Sequence, residues 1–213
     1  MIQSPNIETQ RLVLRCWRSS DLEPFAKINA DPNVMEFFPA PLTSPQSDAL
    51  VAKIERHFRR HGFGLYAVDL KDPGGFVGFI GLSVPAFHAH FTPCVEIGWR
   101  LSSDTWGKGL ATEGAEAVLK YSREVLRLKD VVSFTVPVNV RSRRVMEKIG
   151  MTRDPADDFD HPQLPPGHPL RRHVLYRMEL ESLPVGEKGG AQQGSAHILK
   201  HLAMAKNPIV NDD

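Results

Sequence analysis

The sequence predicts a mixed α/β domain in which about four helices flank a central, mostly antiparallel sheet. Two observations lead to this prediction. Strand-like runs alternate with amphipathic helical patterns over most of the chain. In addition, the apolar runs between Phe63 and Val84 are joined by Lys71–Gly75, a segment with the composition and length of a hairpin turn. Neighbouring antiparallel strands are therefore expected near the middle of the chain.

The composition of the chain limits its function classes. Its 213 residues are 41% hydrophobic, which is sufficient for one domain with a buried core. The net charge of +1 gives no global positive field, so we expect no nucleic acid partner. No apolar run is long enough to cross a bilayer and no signal-peptide pattern opens the sequence, so we expect no membrane partner and a cytoplasmic location. Cys16 and Cys94 lie far apart without metal-ligand spacing, which favours reduced thiols.

The first half of the chain contains one predicted strand and two predicted helices before the hairpin. The strand covers Leu12–Trp17. Ser20 and Glu23 have capping-box spacing, which predicts the start of the first helix. The proline-rich residues 37–45 predict a loop, and Ser44 as an N-cap predicts the start of the second helix.

The second half of the chain continues with alternating strands and helices. A strand at Cys94–Leu101 leads into a glycine-bearing turn and an amphipathic helix that extends to Leu126. The β-branched segment Val131–Val136 predicts the next strand. Asn139–Gly150 predicts a short helix with an asparagine cap and a glycine end, and the last strand is expected at His173–Leu180.

A change in composition marks the end of the domain, which we assign to residues 1–182. In the remaining tail, 183–213, the segment GEKGGAQQG is typical of a flexible linker. The segment AHILKHLAMAK has the pattern of a short helix. No role for the tail follows from its sequence.

The turn before the long helix contains two glycines. Gly107 and Gly109 lack a Cβ, so they permit positive φ and let a ligand approach the main chain closely. The first N–H groups of the helix have no intrahelical partner, and the helix dipole places about half a positive charge there, which favours a phosphate. The turn matches neither the P-loop pattern nor the Rossmann pattern, in which a third glycine would replace Thr112. A glycine turn that only closes a strand onto a helix is the alternative.

Five separated motifs identify a family. They are ETQRLVLR, DPNVMEFF, GFVGFIGL, EIGWRLSSDTWGKGLATEG and NVRSRRVMEKIGM, in this order, between about Ile7 and Leu180. Together they resemble the GNAT superfamily of acyl-CoA-dependent N-acetyltransferases, and within it the branch that includes the RimJ/RimL ribosomal-protein N-terminal acetyltransferases. The resemblance implies the GNAT fold, with a mixed sheet of about six to seven strands that splays between the fourth and the fifth.

The same resemblance implies acetyl-CoA as the cosubstrate, without a metal. The pyrophosphate would bind the backbone of the glycine turn, and the pantetheine arm would lie between the two splayed strands. Trp106 departs from the Arg or Gln that the family usually has there. Arg141 and Arg144 would meet the nucleotide phosphates, or they form only the solvated face of a helix. The cofactor-binding residues implied are Ile97, Gly98, Trp99, Trp106, Gly107, Lys108, Gly109, Leu110, Ala111, Thr112, Asn139, Ser142 and Arg144.

Acetyl transfer to nitrogen requires a neutral amine, because the lone pair attacks the thioester carbonyl. Glu96 is the candidate general base, as the one acid in an otherwise apolar strand that runs to the turn. A backbone amide near Ile97–Trp99 would polarise the carbonyl. Ser142 would protonate the departing thiolate and Asn139 would contact the arm near the thioester. A salt-bridged, structural Glu96 and an Asn139 that only caps a helix are the alternatives.

The predicted function is transfer of an acetyl group from acetyl-CoA to a primary amine by direct attack in a ternary complex. The acceptor is a protein or peptide N-terminus, for which the lower pKa of the α-amino group leaves on the order of a tenth of the amine neutral at pH 7. A small-molecule amine (an amino acid, a polyamine or a drug) is an alternative acceptor. A non-catalytic acyl-CoA-binding module and a Rossmann-type dinucleotide-binding protein are alternatives of other classes.

Other features bear on partners. His88 and His90 lack a third ligand, so we expect no metal site there. A homodimer is a possible assembly. Four acids in the loop before the last strand would attract a cationic acceptor or belong only to a solvated loop; they are Asp154, Asp157, Asp158 and Asp160.

Overall fold

The computed structural model describes residues 5–180, which form a central sheet with helices on both faces. The predicted tail, 183–213, lies outside these residues. The strands are β1 (Ile7–Glu8), β2 (Leu12–Arg15), β3 (Leu65–Leu70), β4 (Gly75–Ser83), β5 (Glu96–Leu101), β6 (Asp130–Thr135), β7 (Thr152–Arg153), β8 (Phe159–Asp160) and β9 (Arg172–Glu179). The α-helices are α1 (Leu22–Ala30), α2 (Ser44–His61), α3 (Leu110–Glu124) and α4 (Val140–Lys148).

The order of the strands confirms the predicted mixed, mostly antiparallel sheet. The strands follow the order β1-β2-β3-β4-β5-β6-β9-β7, and β8 pairs with β9. All pairs are antiparallel except β5 with β6. The described residues contain nine strands rather than six or seven. The additional strands β1, β7 and β8 have two residues each, which is too short for an alternating pattern in the sequence.

The parallel pair opens soon after it begins, as predicted. Glu96 and Val132 form the single register pair between β5 and β6 in the described chain. The Val132 amide donates to the Val95 carbonyl at 2.9 Å. Beyond this point the two strands separate and leave a gap in the middle of the sheet.

Two apolar layers hold the helices on opposite faces of the sheet. Val118 and Leu119 of α3 belong to the same buried cluster as Ile97 of β5. Ile54 of α2 and Phe79 of β4 belong to a second cluster, which also includes residues of α1. Because side chains alternate between the faces of a strand, successive residues of β5 face these two layers in turn. The sheet therefore separates a side that carries α3 from a side that carries α1 and α2.

Two predicted helix starts were wrong. Thr43, not Ser44, is the N-cap of α2: its hydroxyl accepts from the Gln46 amide at 3.4 Å, and the Thr43 amide donates to Gln46 Oε1 at 2.8 Å. The predicted pair of Ser20 and Glu23 is also not the capping box. Residues 19–21 form a 3-10 turn instead, and α1 begins after it. Adjacent residues with similar capping side chains give equivalent patterns in the sequence.

A search of the described helices found none with the length and apolar character needed to cross a membrane.

Candidate active site

A cleft of about 850 Å³ opens where β5 and β6 separate. Its walls come from β5, the glycine turn, the start of α4, the loop after α1 and the segment that precedes β9. The cleft brings together all of the predicted site residues except Ile97, whose side chain is buried in the core, and Lys108, whose side chain is exposed. Residues from three distant parts of the sequence therefore meet at one site.

The backbone of the separated strands faces the gap. The Ser102 amide donates to the Val77 carbonyl at 2.9 Å, so even-numbered residues of β5 pair with β4. By the same alternation, Ile97 and Trp99 direct their N–H and C=O groups toward β6, and Phe134 of β6 directs its own toward β5. These groups suit the amides of a pantetheine arm, because an extended ligand can replace the missing strand partner. The backbone of Gly98 is instead directed to β4, so its predicted contact with the cofactor through the backbone is not supported.

The glycine turn has the conformation that the sequence predicted. Gly107 and Gly109 have φ values of 75° and 77°, in the left-handed region that favours glycine. The Glu113 amide makes the first helical bond, to the Gly109 carbonyl at 3.1 Å. The amides of Leu110 and Ala111, at the start of α3, thus have no intrahelical acceptor. The turn fits a phosphate group with main-chain donors and the positive end of the helix dipole.

Side chains that the sequence did not single out hold this turn in place. Arg11 Nη1 donates to the Lys108 carbonyl at 2.8 Å, and Arg11 Nε donates to Glu113 Oε2 at 2.6 Å. Thr9 Oγ1 donates to the other oxygen of Glu113 at 2.6 Å. The hydrogen bonds from Thr9 and Arg11 keep the pKa of the Glu113 carboxyl low, although its partial burial opposes them. The N-terminal segment therefore fixes both the turn and the first residues of α3.

Glu96 lies at the end of the gap, on the wall of the cleft. Burial raises the pKa of its carboxyl to about 7, and a hydrogen bond from Ser83 opposes this shift. The Ser83 hydroxyl donates to Glu96 Oε2 at 3.0 Å. Among the described residues no salt bridge reaches Glu96, so the structural alternative of a salt-bridged glutamate is not supported. A carboxyl with this pKa exchanges protons near neutral pH.

Asn139 and Ser142 lie side by side at the start of α4. Asn139 Oδ1 accepts from the Ser142 amide at 3.1 Å, which confirms that Asn139 caps the helix. Asn139 Nδ2 donates to Ser142 Oγ at 3.1 Å and to Thr135 Oγ1 at 3.0 Å. Because Ser142 Oγ receives this bond, its own proton is directed elsewhere and can reach a group in the cleft.

The two arginines predicted near the phosphates differ. Arg141 Nη2 forms a salt bridge with Glu36 Oε2 at 2.6 Å, and Arg141 Cζ lies 4.5 Å from the centroid of the Trp106 ring. Trp106 in turn donates through Nε1 to the Leu101 carbonyl at 3.0 Å. Arg144 is exposed at the cleft, and none of the described acids forms a salt bridge with it. Of the pair, Arg144 has the charge that is available to a ligand.

Three of the four acids in the loop before the last strand are already paired with arginines, which leaves little free charge for a cationic acceptor. Arg177 Nε donates to Asp157 Oδ2 at 2.6 Å, and Arg153 Nε donates to Asp158 Oδ1 at 2.9 Å. These arginines hold the pKa values of both carboxyls below their usual range. Of the other two loop acids, Asp160 pairs with Arg171 at 3.2 Å, and Asp154 accepts from the Ala156 amide at 2.9 Å. The loop acids therefore stabilise the loop itself.

The sequence predicts that the loops 37–45 and 157–168 border the acceptor side of the cleft, and residues of both loops line it. It did not single out which residues do so. His161 and His173 line the cleft with their ring centroids 5.1 Å apart, and burial lowers the pKa of both imidazoles. Phe38 and Arg100 line it as well. Strand alternation alone would place Arg100 on the same face as Glu96, but nothing in the sequence of the loop before β9 indicates which of its residues face the cleft.

Comparison with known proteins decides the family. Residues 11–152 match the acetyltransferase (GNAT) domain. The chain belongs to the GNAT acetyltransferase family. This match confirms the superfamily resemblance and shows an acetyl-CoA-dependent N-acetyltransferase, in preference to a Rossmann-type protein or a non-catalytic module.

Relatives of this GNAT acetyltransferase match over most of their length. The uncharacterized N-acetyltransferase YnaD of Bacillus subtilis is 30% identical over 151 residues, which cover 70% of this chain and 84% of the relative. The FsC-acetyl coenzyme A-N(2)-transacetylase of Aspergillus fumigatus is 31% identical over 195 residues, with coverage of 84% and 81%. A GNAT-family acetyltransferase from Bacillus anthracis has a TM-score of 0.68 at 28% identity and covers 83% of this chain and 99% of its own.

Proposed function

We propose that this enzyme transfers the acetyl group of acetyl-CoA directly to a primary amine, with Glu96 as the general base. One observation carries the proposal. The Glu96 carboxyl, whose pKa is raised to about 7, lies where β5 and β6 separate and where the backbone groups of the gap begin. This is the point at which a thioester and an amine would meet from the two sides of the sheet.

The coenzyme half of the site rests on main-chain donors. The amides at the start of α3 would bind the pyrophosphate, and the backbone groups of Ile97, Trp99 and Phe134 would bind the pantetheine arm. Arg144 would add a charge near the nucleotide phosphates. Main-chain contacts depend little on side-chain identity, so Trp106 in the place of the usual Arg or Gln is compatible with this role.

The acetyl transfer itself needs two proton movements. Glu96 accepts the proton that the attacking amine loses as the C–N bond forms, directly or through one water. An amide of the gap stabilises the charge on the carbonyl oxygen. As the C–S bond breaks, Ser142 donates a proton to the thiolate and regains one from solvent, to which Glu96 releases the proton of the amine. Asn139 orients the Ser142 hydroxyl through its hydrogen bond at 3.1 Å. No metal enters these steps, because an acyl thioester is already activated toward an amine.

The finer assignment follows from the motifs. The order and the residues of the five motifs support the RimJ/RimL-like branch and an acceptor that is a protein or peptide N-terminus. We also propose the cytoplasmic location predicted from the sequence. A small-molecule amine is the second candidate acceptor, and the similarity to the Aspergillus N(2)-transacetylase supports it. We assign the catalytic unit to residues 1–182, and a homodimer is the proposed assembly.

The test combines binding with turnover. Release of CoA thiol is measured with a panel of peptides, amino acids and polyamines, and acetyl-CoA affinity is measured separately by calorimetry. We expect turnover on at least one acceptor class, and we expect Glu96→Gln to lower it without changing acetyl-CoA affinity. Glu116→Gln is the matched control, because Glu116 is an exposed acid on α3 outside the cleft. Tight binding of acetyl-CoA without turnover of any amine would contradict the proposal.

A further inference from the structure

Arg100 is a partly buried cation without an acidic partner among the described residues. Its Nη1 donates to Asn29 Oδ1 at 2.6 Å, and its Nε is buried without a hydrogen-bond partner in the described chain. The guanidinium carbon lies 4.1 Å from the centroid of the Phe38 ring and 5.5 Å from that of Phe79. No salt bridge joins Arg100 to any described acid, and burial lowers the pKa of its guanidinium to about 10. Removing a charge from water without a counter-charge is unfavourable.

Arg15, whose side chain is buried, shows how such a charge is stabilised when its role is structural. Arg15 is bonded by two carboxylates: Nη1 donates to Asp21 Oδ2 at 2.7 Å and Nε donates to Asp69 Oδ2 at 2.6 Å. These acids raise the pKa of Arg15, although its burial acts in the opposite direction. Arg100 lacks this arrangement and lines a cleft instead. An anion that arrives with a ligand would supply the missing counter-charge.

The position of Arg100 indicates which ligand brings the anion. Glu96, Gly98 and Arg100 point to the same face of β5, because side chains alternate along a strand. A Cβ on Gly98 would have Glu96 Oε1, at 3.9 Å, as its nearest neighbour, so the space between Glu96 and Arg100 is open. Gly81 lies opposite Gly98 on β4, and it adds no side chain there. The backbones of Gly98 and Arg100 are about 7 Å apart along the strand.

The coenzyme is not the source of this anion. Its proposed phosphate site is at the start of α3, and α3 packs on the face of the sheet to which Ile97 points. Arg100 faces the opposite layer, where it contacts Asn29 of α1 and the ring of Phe79. An acceptor with its amine over Gly98 would place its own acidic group within reach of the Arg100 side chain.

We propose that Arg100 binds a carboxylate of the acceptor, so that this enzyme prefers amines that carry a carboxylate a few bonds away. The carboxylate is that of a free amino acid or that of an acidic residue at the start of a peptide. A guanidinium fork binds a carboxylate through two parallel hydrogen bonds. Asn29 occupies Nη1 of Arg100, so Nη2 and Nε are the donors left for this pair, and the side chain must turn to bring the buried Nε to the ligand. This inference rests on the proposed function, because that function places the amine next to Glu96.

A purely structural role for Arg100 would have a different signature. Through Phe38 and Asn29 the guanidinium also contacts the loop after α1 and α1 itself. Loss of these contacts would weaken all acceptors alike. Loss of a carboxylate site weakens only acceptors that carry the carboxylate.

The experiment compares matched acceptors that differ only in charge: an amino acid with its amide, and a peptide starting with Asp with the same peptide starting with Asn. In at least one of these two comparisons the carboxylate should reach Arg100. There we expect the wild type to have a kcat/KM about 10–100-fold higher for the acidic acceptor than for its amide, the effect of one charged hydrogen bond. Arg100→Gln should reduce this ratio to about 3-fold or less and leave kcat/KM for the amides within about 3-fold. Arg100→Lys, which keeps the charge, should retain part of the preference. Arg59→Gln removes an exposed charge of α2 and should change nothing.

Binding of the same acceptors to the enzyme–CoA complex, measured by calorimetry, separates this inference from the proposed function. A charge preference in binding that Arg100→Gln abolishes would support the inference even if no amine were acetylated, an outcome that would overturn only the proposed function. Equal binding of acid and amide by the wild type would overturn the inference. The inference would also be overturned if the Arg100 variants lost the same factor in affinity for the acidic acceptor and for its amide.

Discussion

Glu96 couples catalysis to stability through its pKa. The folded protein holds this carboxyl at about 7, against an ordinary value of 4.5. Above pH 4.5 the unfolded chain ionises first, so the free energy of unfolding falls as the pH rises to about 7 and stays lower beyond it. The shift corresponds to at most about 3.5 kcal/mol, because one pKa unit corresponds to about 1.4 kcal/mol. Partial exposure of Glu96 to solvent reduces the loss to on the order of 1–3 kcal/mol.

Glu96→Gln should therefore stabilise the protein in a pH-dependent manner. Glutamine keeps an oxygen that can accept the Ser83 hydrogen bond but cannot ionise. In urea unfolding we expect the variant to match the wild type at pH 5 and to be more stable at pH 8.5 by on the order of 1–3 kcal/mol. If the variant and the wild type differed in free energy of unfolding by the same amount at pH 5 and at pH 8.5, folding would not raise the pKa of Glu96, which would contradict this prediction.

Gly98 provides a second prediction at a single residue. Valine at this position meets no atom closer than 3.9 Å through its Cβ and extends into the space between Glu96 and Arg100. Gly98→Val should raise the acceptor KM by about 10-fold or more and change acetyl-CoA affinity by less than about 3-fold. Steady-state kinetics and calorimetry provide the two measurements. An equal loss of affinity for acetyl-CoA would mean that the valine blocks the coenzyme rather than the acceptor.

The glycine turn and α3 form the element that orders the coenzyme half of the site. The turn depends on Arg11, which donates both to the Lys108 carbonyl and to Glu113. Removing the charge of Glu113 weakens this connection, so the turn is held less firmly in the conformation that receives the phosphates.

Glu113→Gln should weaken acetyl-CoA binding by about 3–10-fold and leave the acceptor KM almost unchanged. Calorimetric titration with acetyl-CoA gives the first value and steady-state kinetics the second. Glu116 is an exposed acid three residues after Glu113 on α3, and Glu116→Gln should bind acetyl-CoA as the wild type does. Unchanged affinity in Glu113→Gln would remove the role assigned to the Arg11 contacts.

Elements with a strong local pattern were predicted, and those defined by pairing were not. The cap at Asn139 and the positive φ of Gly107 follow from local sequence and agree with the structure. β7 and β8 are strands only because they pair with β9. Each has two residues, which is too few to show an alternating pattern in the sequence. The start of α2 shifted by one residue because Thr43 and Ser44 are equally suitable caps, and only the Gln46 contacts decide between them.

On the scale of the molecule, the gap between β5 and β6 connects two differently organised faces. Most of the coenzyme face comes from two runs of the sequence, 96–112 and 139–144, so its motifs could be read directly from the sequence. The acceptor face depends on strand register and on contacts between distant residues. Asp157, for example, is neutralised by Arg177, which lies 20 positions away, and its partner cannot be inferred from the sequence of the loop. Our proposal for acceptor specificity therefore depends on the structure and not on the sequence alone.

The central claim is that Glu96 is the base for direct transfer across this gap. Its most direct test is the pH dependence of kcat/KM for the acceptor, measured for the wild type and for Glu96→Gln at saturating acetyl-CoA. Both proteins share the titration of the amine, so the ratio of their profiles isolates the carboxyl. We predict that this ratio rises through pH 7 to a plateau of on the order of 10²–10⁴, as the Glu96 carboxyl with its pKa of about 7 ionises. A ratio that stays near one, or that does not change with pH, would contradict the claim.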